Sequence, residues 1–326
     1  MIRFARIVLF ALLVAGPTLA VGAEDATRPK RIYVISPGFS PESEEAMAFR
    51  SAMRDLGYVE DRDISIDWWY GHGRYEGLPG AVAEIPNRKP DIIVVESTAA
   101  ALAAKRATAT IPIVLAIVGD PVGSGLVASL ARPGGNVTGL TNQTVDLATK
   151  RLHLIREALP KAKRVAIMWN ADTPPHRKVL KDLENAAKGL QFEVAPVQAR
   201  TVDEVGSALS ALTRSNADAL LVLDGPFFTS LGSEILEGAA KARVPVVWAY
   251  GRLARQGVLI AYAAPVKDLF RRTASYVDKI LRGASPAMLP VEQPTRFELI
   301  VNVRAARSLG ITLPKSLLLQ ADEVIE

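Results

Sequence analysis

The 326-residue chain contains no cysteine. Disulfides and thiolate metal sites are thereby excluded, and so is a lipid anchor of the bacterial export type, which needs a cysteine at the cleavage point. Stability must come from an ordinary apolar core, which 49% hydrophobic residues can supply in a chain this long. Histidine is scarce as well. His72, His153 and His176 lie far apart in no metal-ligand spacing, so neither a zinc site nor a histidine base has support, and isolated surface histidines are expected. No Gly-x-Ser-x-Gly elbow and no phosphate loop ending in Gly-Lys-Ser/Thr occurs. The segment Gly71-His72-Gly73-Arg74-Tyr75-Glu76-Gly77 resembles a dinucleotide loop only superficially, because its third glycine is misplaced and it follows the second predicted strand. No catalytic residue, metal or cofactor is therefore expected.

Dense charge of one sign is also missing. The chain has 39 Lys and Arg against 34 Asp and Glu, an excess of five that is scattered rather than gathered into a tract, so no nucleic-acid partner is expected. Long hydrophobic runs are absent too. The longest, Ile7 to Ala15 behind Arg3 and Arg6, is shorter than the roughly 20 residues a membrane span requires. With small residues Val21 and Ala23 ahead of Glu24, the stretch Met1 to Ala23 reads as a cleaved signal peptide, leaving a soluble mature protein in the periplasm.

What remains is an alternation. Ile32 to Ser36, Ile64 to Trp69, Asp91 to Val95 and Ile113 to Val118 are short runs rich in β-branched residues. They alternate with stretches of helical periodicity at Glu42 to Leu56, Leu78 to Arg88 and Thr98 to Ala107. Pro86 should end or kink the second of these helices. After the turn-forming cluster Ala131 to Asn136 and a short extended piece, Val137 to Thr141, the alternation begins again. Strands are predicted at Arg164 to Trp169, Phe192 to Val197, Ala217 to Asp224 and Pro245 to Ala249. Helices are predicted at Pro175 to Leu190, Val202 to Thr213 and Thr229 to Ala242. The fold class is α/β: two Rossmann-like lobes, each a parallel sheet flanked by helices, with a cleft between them.

Several segments carry a resemblance to one family. Phe49 to Tyr58, Gly119 to Val122 leading into the glycine-proline run Gly125 to Gly139, Tyr276 to Gly283, Leu289 to Thr295, and the tail Ala321 to Ile325 are similar to signatures of a family of ABC-transporter substrate-binding proteins. The resemblance covers essentially the whole mature chain. It implies a type I periplasmic binding fold with three crossings between lobes, near Leu140 to Asn142, Tyr262 to Pro265 and Thr295 to Glu298. The amino-terminal lobe would then comprise residues 31–140 plus 265–294 and the other 141–264 plus 295–326, joined by a hinge. It further implies a non-catalytic, monomeric protein that hands a small molecule, an aromatic amino acid or similar compound, to an ABC importer permease and meets the membrane only through it. The alternatives are a sensory binding protein that docks on a receptor kinase and, more distantly, an exported enzyme.

Ligands of open α/β sheets bind beyond the carboxyl ends of the strands, and those ends name the candidates. In the first lobe they are Ser36 and Phe39, then Glu96, Ser97 and Thr98, then Gly119 and Asp120, with Thr141 at the first crossing. Ser97 and Thr98 open a helix whose unpaired N–H groups suit a carboxylate, although Ser97 could simply be an N-cap. Glu96 departs from the glycine-rich turn the family usually carries there, and could bind a ligand ammonium or fill the cleft. In the second lobe they are Trp169, Asn170, Asp224, Phe227 and Tyr250. Asp224 ends an apolar run and is expected to find its partner in a ligand ammonium, while the aromatic residues could wall a planar ligand or pack in the interior.

Overall fold

The computed structural model describes residues 28–326; the expected signal peptide at residues 1–23 lies outside them. Two sheets organise the chain. The first comprises β1 (Lys30–Ser36), β2 (Ile64–Tyr70), β3 (Ile92–Val95), β4 (Ile113–Val118) and β5 (Val137–Thr141), all parallel, in the order β2-β1-β3-β4-β5. Its strands are short and β-branched, and successive side chains serve two cores. Ile32, Val34, Ile92, Val94 and Val114 pack with Phe49 and Met53 of α1 (Glu44–Asp55). Tyr33, Ile35, Ile93, Val95 and Leu115 face α2 (Leu78–Ala83), α3 (Ile85–Arg88) and α4 (Thr98–Ala107). The predicted helix over 78–88 is indeed broken. Pro86 can supply no N–H to a continuing ladder, and the chain restarts at Ile85 with the proline in the first turn of α3. Gly139 is required by the β4–β5 pairing, since a Cβ there would lie 2.3 Å from the Leu115 carbonyl oxygen and the backbone has φ +128.

The second sheet runs β12-β11-β10-β9-β8-β6-β7. After α5 (Thr144–Ala158) come β6 (Arg164–Trp169), α6 (His176–Gly189), β7 (Glu193–Gln198), α7 (Val202–Arg214) and β8 (Ala219–Val222). Next are α8 (Pro226–Ser230), α9 (Gly232–Lys241), β9 (Val246–Trp248), α10 (Gly251–Ala254) and β10 (Ile260–Ala263). The single helix predicted over Thr229 to Ala242 is therefore two, divided at Leu231. The chain then leaves this sheet for α11 (Val266–Leu281), which packs on α1, β4 and β5 of the first lobe, and Tyr58 Oη donates to Asp278 across that contact at 2.9 Å. It returns through a 3-10 turn at Pro286–Met288 to β11 (Glu298–Asn302), α12 (Val303–Ser308), α13 (Lys315–Gln320) and β12 (Glu323–Ile325). Because the return strand comes directly from the other lobe with no crossover helix of its own, β11 lies antiparallel to β10 while every other pair is parallel. Val165, Ile167, Leu221, Val247 and Val301 form the core beneath α5 and α6. The opposite face, with Met168, Val222 and Trp248, joins the α1 side of the first lobe in one continuous apolar cluster.

The lobes are thus in contact. A Cβ on Gly38 would stand 3.1 Å from Pro226 Cβ, and one on Gly73 would stand 2.0 Å from Ser230 Oγ, so first-lobe backbone touches α8 of the second lobe at two places. Arg252 of α10 lies over the Phe39 ring at 5.9 Å. This is a closed arrangement.

Candidate functional site

Where the lobes meet, residues at and beyond the carboxyl ends of seven strands enclose one small cavity. Glu96, Ser97, Thr98 and Ala99 follow β3, Ile117 and Gly119 lie at the end of β4, and Asn142 follows β5. From the other lobe come Thr173 and Pro175 after β6, Asp224, Gly225 and Pro226 after β8, and Tyr250 after β9. Tyr75, in the loop after β2, completes the lining. The space left is about 30 Å³, room for a water or two.

Two carboxylates line this space, and their surroundings differ. Asp224 accepts a bidentate pair from Arg151 of α5, Nη1 to Oδ1 at 2.9 Å and Nη2 to Oδ2 at 2.7 Å, and Arg151 is wholly buried. The expectation that Asp224 awaits a ligand ammonium is corrected here: the apolar run does end in a carboxylate that needs a cation, but the chain supplies that cation from 73 residues away. Glu96 has no such partner. It is 3% exposed, accepts from the Gly38 backbone N–H at 2.9 Å and from Ser36 Oγ at 3.4 Å, and makes no ion pair among the described residues. Burial pushes its carboxyl up to about 8, against the pull of those two hydrogen bonds.

The amino-terminal end of α4 forms the neighbouring wall. Ser97 Oγ accepts from the Ala100 N–H at 3.2 Å and is the N-cap, and Thr98 Oγ1 accepts from the Gly119 N–H at 3.3 Å. Both hydroxyls are thus engaged within the lobe. What α4 offers the cavity is the positive end of a ten-residue helix. Opposite it, Thr173 Oγ1 is buried and makes no well-formed hydrogen bond. Burial raises the hydroxyl pKa of both Tyr75 and Tyr250, so each remains a neutral donor. His176 fixes the second lobe's floor. Its Nδ1 accepts from the Asn170 N–H at 3.0 Å, so Nε2 carries the proton donated to the Asp224 carbonyl oxygen at 2.7 Å. It is fully buried, contrary to the expectation of a surface histidine, and burial holds it down to about 4.

The fold agrees with the comparisons to known proteins. A family profile described as ABC transporter substrate binding protein matches residues 42–325. The chain belongs to this family of ABC-transporter substrate-binding proteins. A tyrosine-binding protein of Clostridioides difficile (strain R20291) is 28% identical over 289 residues, covering 88% of this chain and 83% of that one. An ABC domain in complex with L-Trp from Streptococcus pneumonia superimposes with a TM-score of 0.84 at 24% identity, covering 91% of this chain and all of that one. The ligand-free, open structure of a Clostridium difficile substrate-binding protein with adhesive properties gives 0.65 at 27% identity, covering 91% and 99%. Higher identity with poorer superposition is what two differently separated lobes produce.

In this substrate-binding protein, Glu96, Ser97, Thr98, Gly119, Asp224 and Tyr250 are brought to one cavity. The other residues expected there serve different ends. Ser36 sits behind Glu96 and accepts from the Phe39 N–H at 3.0 Å. Phe39 packs edge-on against Phe270 at 5.5 Å. Asp120 closes its own turn by accepting from the Gly123 N–H at 2.8 Å, and with Thr141 it lines a separate crevice beside Asp146 and Lys178. Trp169 is a lid on the second-lobe core with Arg177 over its ring, and Asn170 ties the loop after β6 by donating to the Arg200 carbonyl. Phe227 packs edge-on against Phe228 at 5.1 Å. None of these seven side chains lines the cavity.

Sequence reasoning missed Tyr75, Thr173 and Arg151. Tyr75 lies five residues beyond β2, outside the strand ends that were considered, and Thr173 is four beyond β6. Arg151 shows no local signal, being one basic residue among several on an amphipathic helix.

Proposed function

We propose that this protein is a periplasmic, non-catalytic carrier that closes around an amino-acid zwitterion with an aromatic side chain and delivers it to an ABC importer permease. The single observation behind the ligand class is the cavity wall of Glu96 to Ala99: a helix amino terminus suited to a carboxylate, with polar aromatic side chains, Tyr75 and Tyr250, on opposite lobes. The tyrosine-binding relative and the L-Trp-bound neighbour support the same class. Residues 31–140 with 265–294 act as one lobe and 141–264 with 295–326 as the other, rotating about the three segments that connect the sheets. The protein works as a monomer, exported by cleavage before Glu24. A cavity of about 30 Å³ is too small for tyrosine, so the ligand enters parted lobes and is held by a slightly wider closure than this one.

Thermal scans with tyrosine, tryptophan and phenylalanine, paired with small-angle scattering, test this reading. At a hundred times its dissociation constant a true ligand adds about 2.7 kcal/mol, a shift of several degrees, and reduces the radius of gyration of the open form. Mass spectrometry of ligand released from natively purified protein that finds only non-aromatic or anionic compounds would refute the ligand class.

A further inference from the structure

We propose that Glu96 is the subsite for a cationic nitrogen of the ligand, and that capture of that nitrogen expels a proton from the protein. This rests on the reading of the cleft as an amino-acid site and adds which group selects the ammonium.

The two carboxylates of the cavity can be ranked by what already neutralises them. Asp224 is saturated by the Arg151 fork, so its pair presents no net charge to a ligand. Glu96 is held by one backbone N–H and one hydroxyl, both from its own lobe, with no ammonium or guanidinium within ion-pair distance among the described residues. The groups facing it from the surrounding elements are Glu45 of α1, which discourages its ionisation, Arg252 of α10, which favours it from a distance, and neutral Tyr75 and Tyr250. An isolated buried carboxylate is kept protonated by the cost of desolvating its charge. At neutral pH the group is therefore a carboxylic acid, its carboxyl standing near 8.

Placement fits the ligand class. Glu96 lies two residues before Thr98, the first residue of α4, so an acid acceptor and the helix's anion-attracting end adjoin in one wall. An α-amino acid carries its ammonium and carboxylate one carbon apart. On binding, the Glu96 O–H bond breaks, its proton leaves to solvent, and the resulting carboxylate accepts hydrogen bonds from the ligand ammonium, which keeps its own three protons. Charge balances: a neutral acid and a cation become an ion pair and a free proton. Linkage gives the sign. A bound complex in which Glu96 is ionised binds fewer protons than the free protein, so affinity rises with pH below about 8 and levels off above it.

The experiment is titration calorimetry at pH 7 in phosphate and in Tris, whose ionisation enthalpies differ, using L-tyrosine, tyramine and 3-(4-hydroxyphenyl)propionate as probes. The wild-type protein should release nearly one proton per tyrosine bound, with affinity about tenfold higher at pH 7 than at pH 6. Glu96→Gln, which mimics the protonated form, should bind tyrosine more weakly with no buffer-dependent enthalpy. The wild-type measurement stands whether or not that variant folds. Tyrosine bound with no proton release, or with the same pH dependence in Glu96→Gln, overturns the Glu96 subsite and leaves the aromatic amino-acid reading intact. Tyramine bound with proton release while tyrosine does not bind supports the subsite and removes the amino-acid reading. Binding of the propionate alone, or of none of the three, removes both.

Discussion

Cutting the Asp224–Arg151 pair from one side should cost stability before it costs affinity. Arg151 is wholly buried and Asp224 is 8% exposed, so Asp224→Ala leaves a buried guanidinium without its counter-charge. Breaking a buried pair from one side costs about 3–5 kcal/mol, because the remaining charge loses its partner without regaining hydration. For a body of 150 to 250 residues each kcal/mol moves the melting point about 2–4 °C, so the second lobe should melt about 6–20 °C lower. Differential scanning calorimetry without ligand reads this directly, and a split transition would show the second lobe failing first. A control separates charge from packing. Arg151→Met with Asp224→Leu removes both charges and loses in addition the bond from Arg151 Nε to the Tyr262 carbonyl, 2.9 Å long. That double variant should fall only about 1–3 kcal/mol below the wild type, the cost of one unsatisfied buried carbonyl. If Asp224→Ala melts within a degree of the wild type and loses only ligand affinity, Asp224 is a ligand group and the pairing argument is wrong.

Other consequences follow from the closed contacts and the buried imidazole. Gly73→Ala meets Ser230 Oγ and Cβ at 2.0 and 2.3 Å only when the lobes are closed, whereas its φ of +80 is a strain in any arrangement. It should enlarge the scattering radius of the unliganded protein, with Ser230→Gly restoring part of the compaction; an unchanged radius in Gly73→Ala refutes this closure geometry. The His176 imidazole, held down to about 4 in the fold and near 6.5 unfolded, contributes stability that is complete above pH 6.5 and is lost as pH falls toward 4, about 3 kcal/mol in all. Nitrogen NMR at pH 5.5 should show a neutral ring protonated at Nε2, and an imidazolium there removes the argument. Glu96→Gln, besides losing ligand, should raise the melting point of the unliganded protein at pH 9, where the wild-type carboxyl is charged and buried; a lower melting point at that pH contradicts the desolvation argument.

The fold was legible because its signals are local and periodic. β-Branched runs such as Ile113–Val118 can form little but a buried parallel strand, and the turn cluster at Ala131–Asn136 separates them from the next unit. Strand-end reasoning also found the cavity in outline, since Glu96, Thr98, Gly119 and Tyr250 all line it. It could not tell which way a side chain turns once past the strand. Trp169 and Phe227 sit where a ligand wall was expected, yet each finds apolar neighbours in its own lobe and buries its ring there. Asp224 failed for another reason. Whether a buried carboxylate is free or paired depends on a helix 73 residues earlier, and no spacing in the sequence announces that Arg151 points inward. No helix was predicted over residues 144–158, so periodicity pointed neither to α5 nor to a charged side chain crossing its apolar side.

That hidden arginine also ties the cavity to the places where the chain passes between the two sheets. Arg151 lies on the first helix after the chain leaves β5 for the second lobe. Its fork grips Asp224 at the cavity end of β8, and its Nε donates to Tyr262 in β10, one residue before that strand ends and the chain turns back toward α11. One side chain therefore braces the second lobe's cavity floor against two of the three places where the chain changes lobes. A buried guanidinium that donates from Nε and from both Nη atoms deforms little, because rotation breaks its charge-assisted bonds. If the lobes rotate about their connections, bending falls outside this brace, in the few residues between Thr141 and α5 and between Ala263 and α11, while Asp224 keeps its position. The second-lobe carboxylate is thus neutralised within its own lobe, whereas Glu96 in the first lobe is held by the Gly38 N–H and Ser36 Oγ with no cationic partner among the described residues, so the two walls of the cavity differ in charge chemistry.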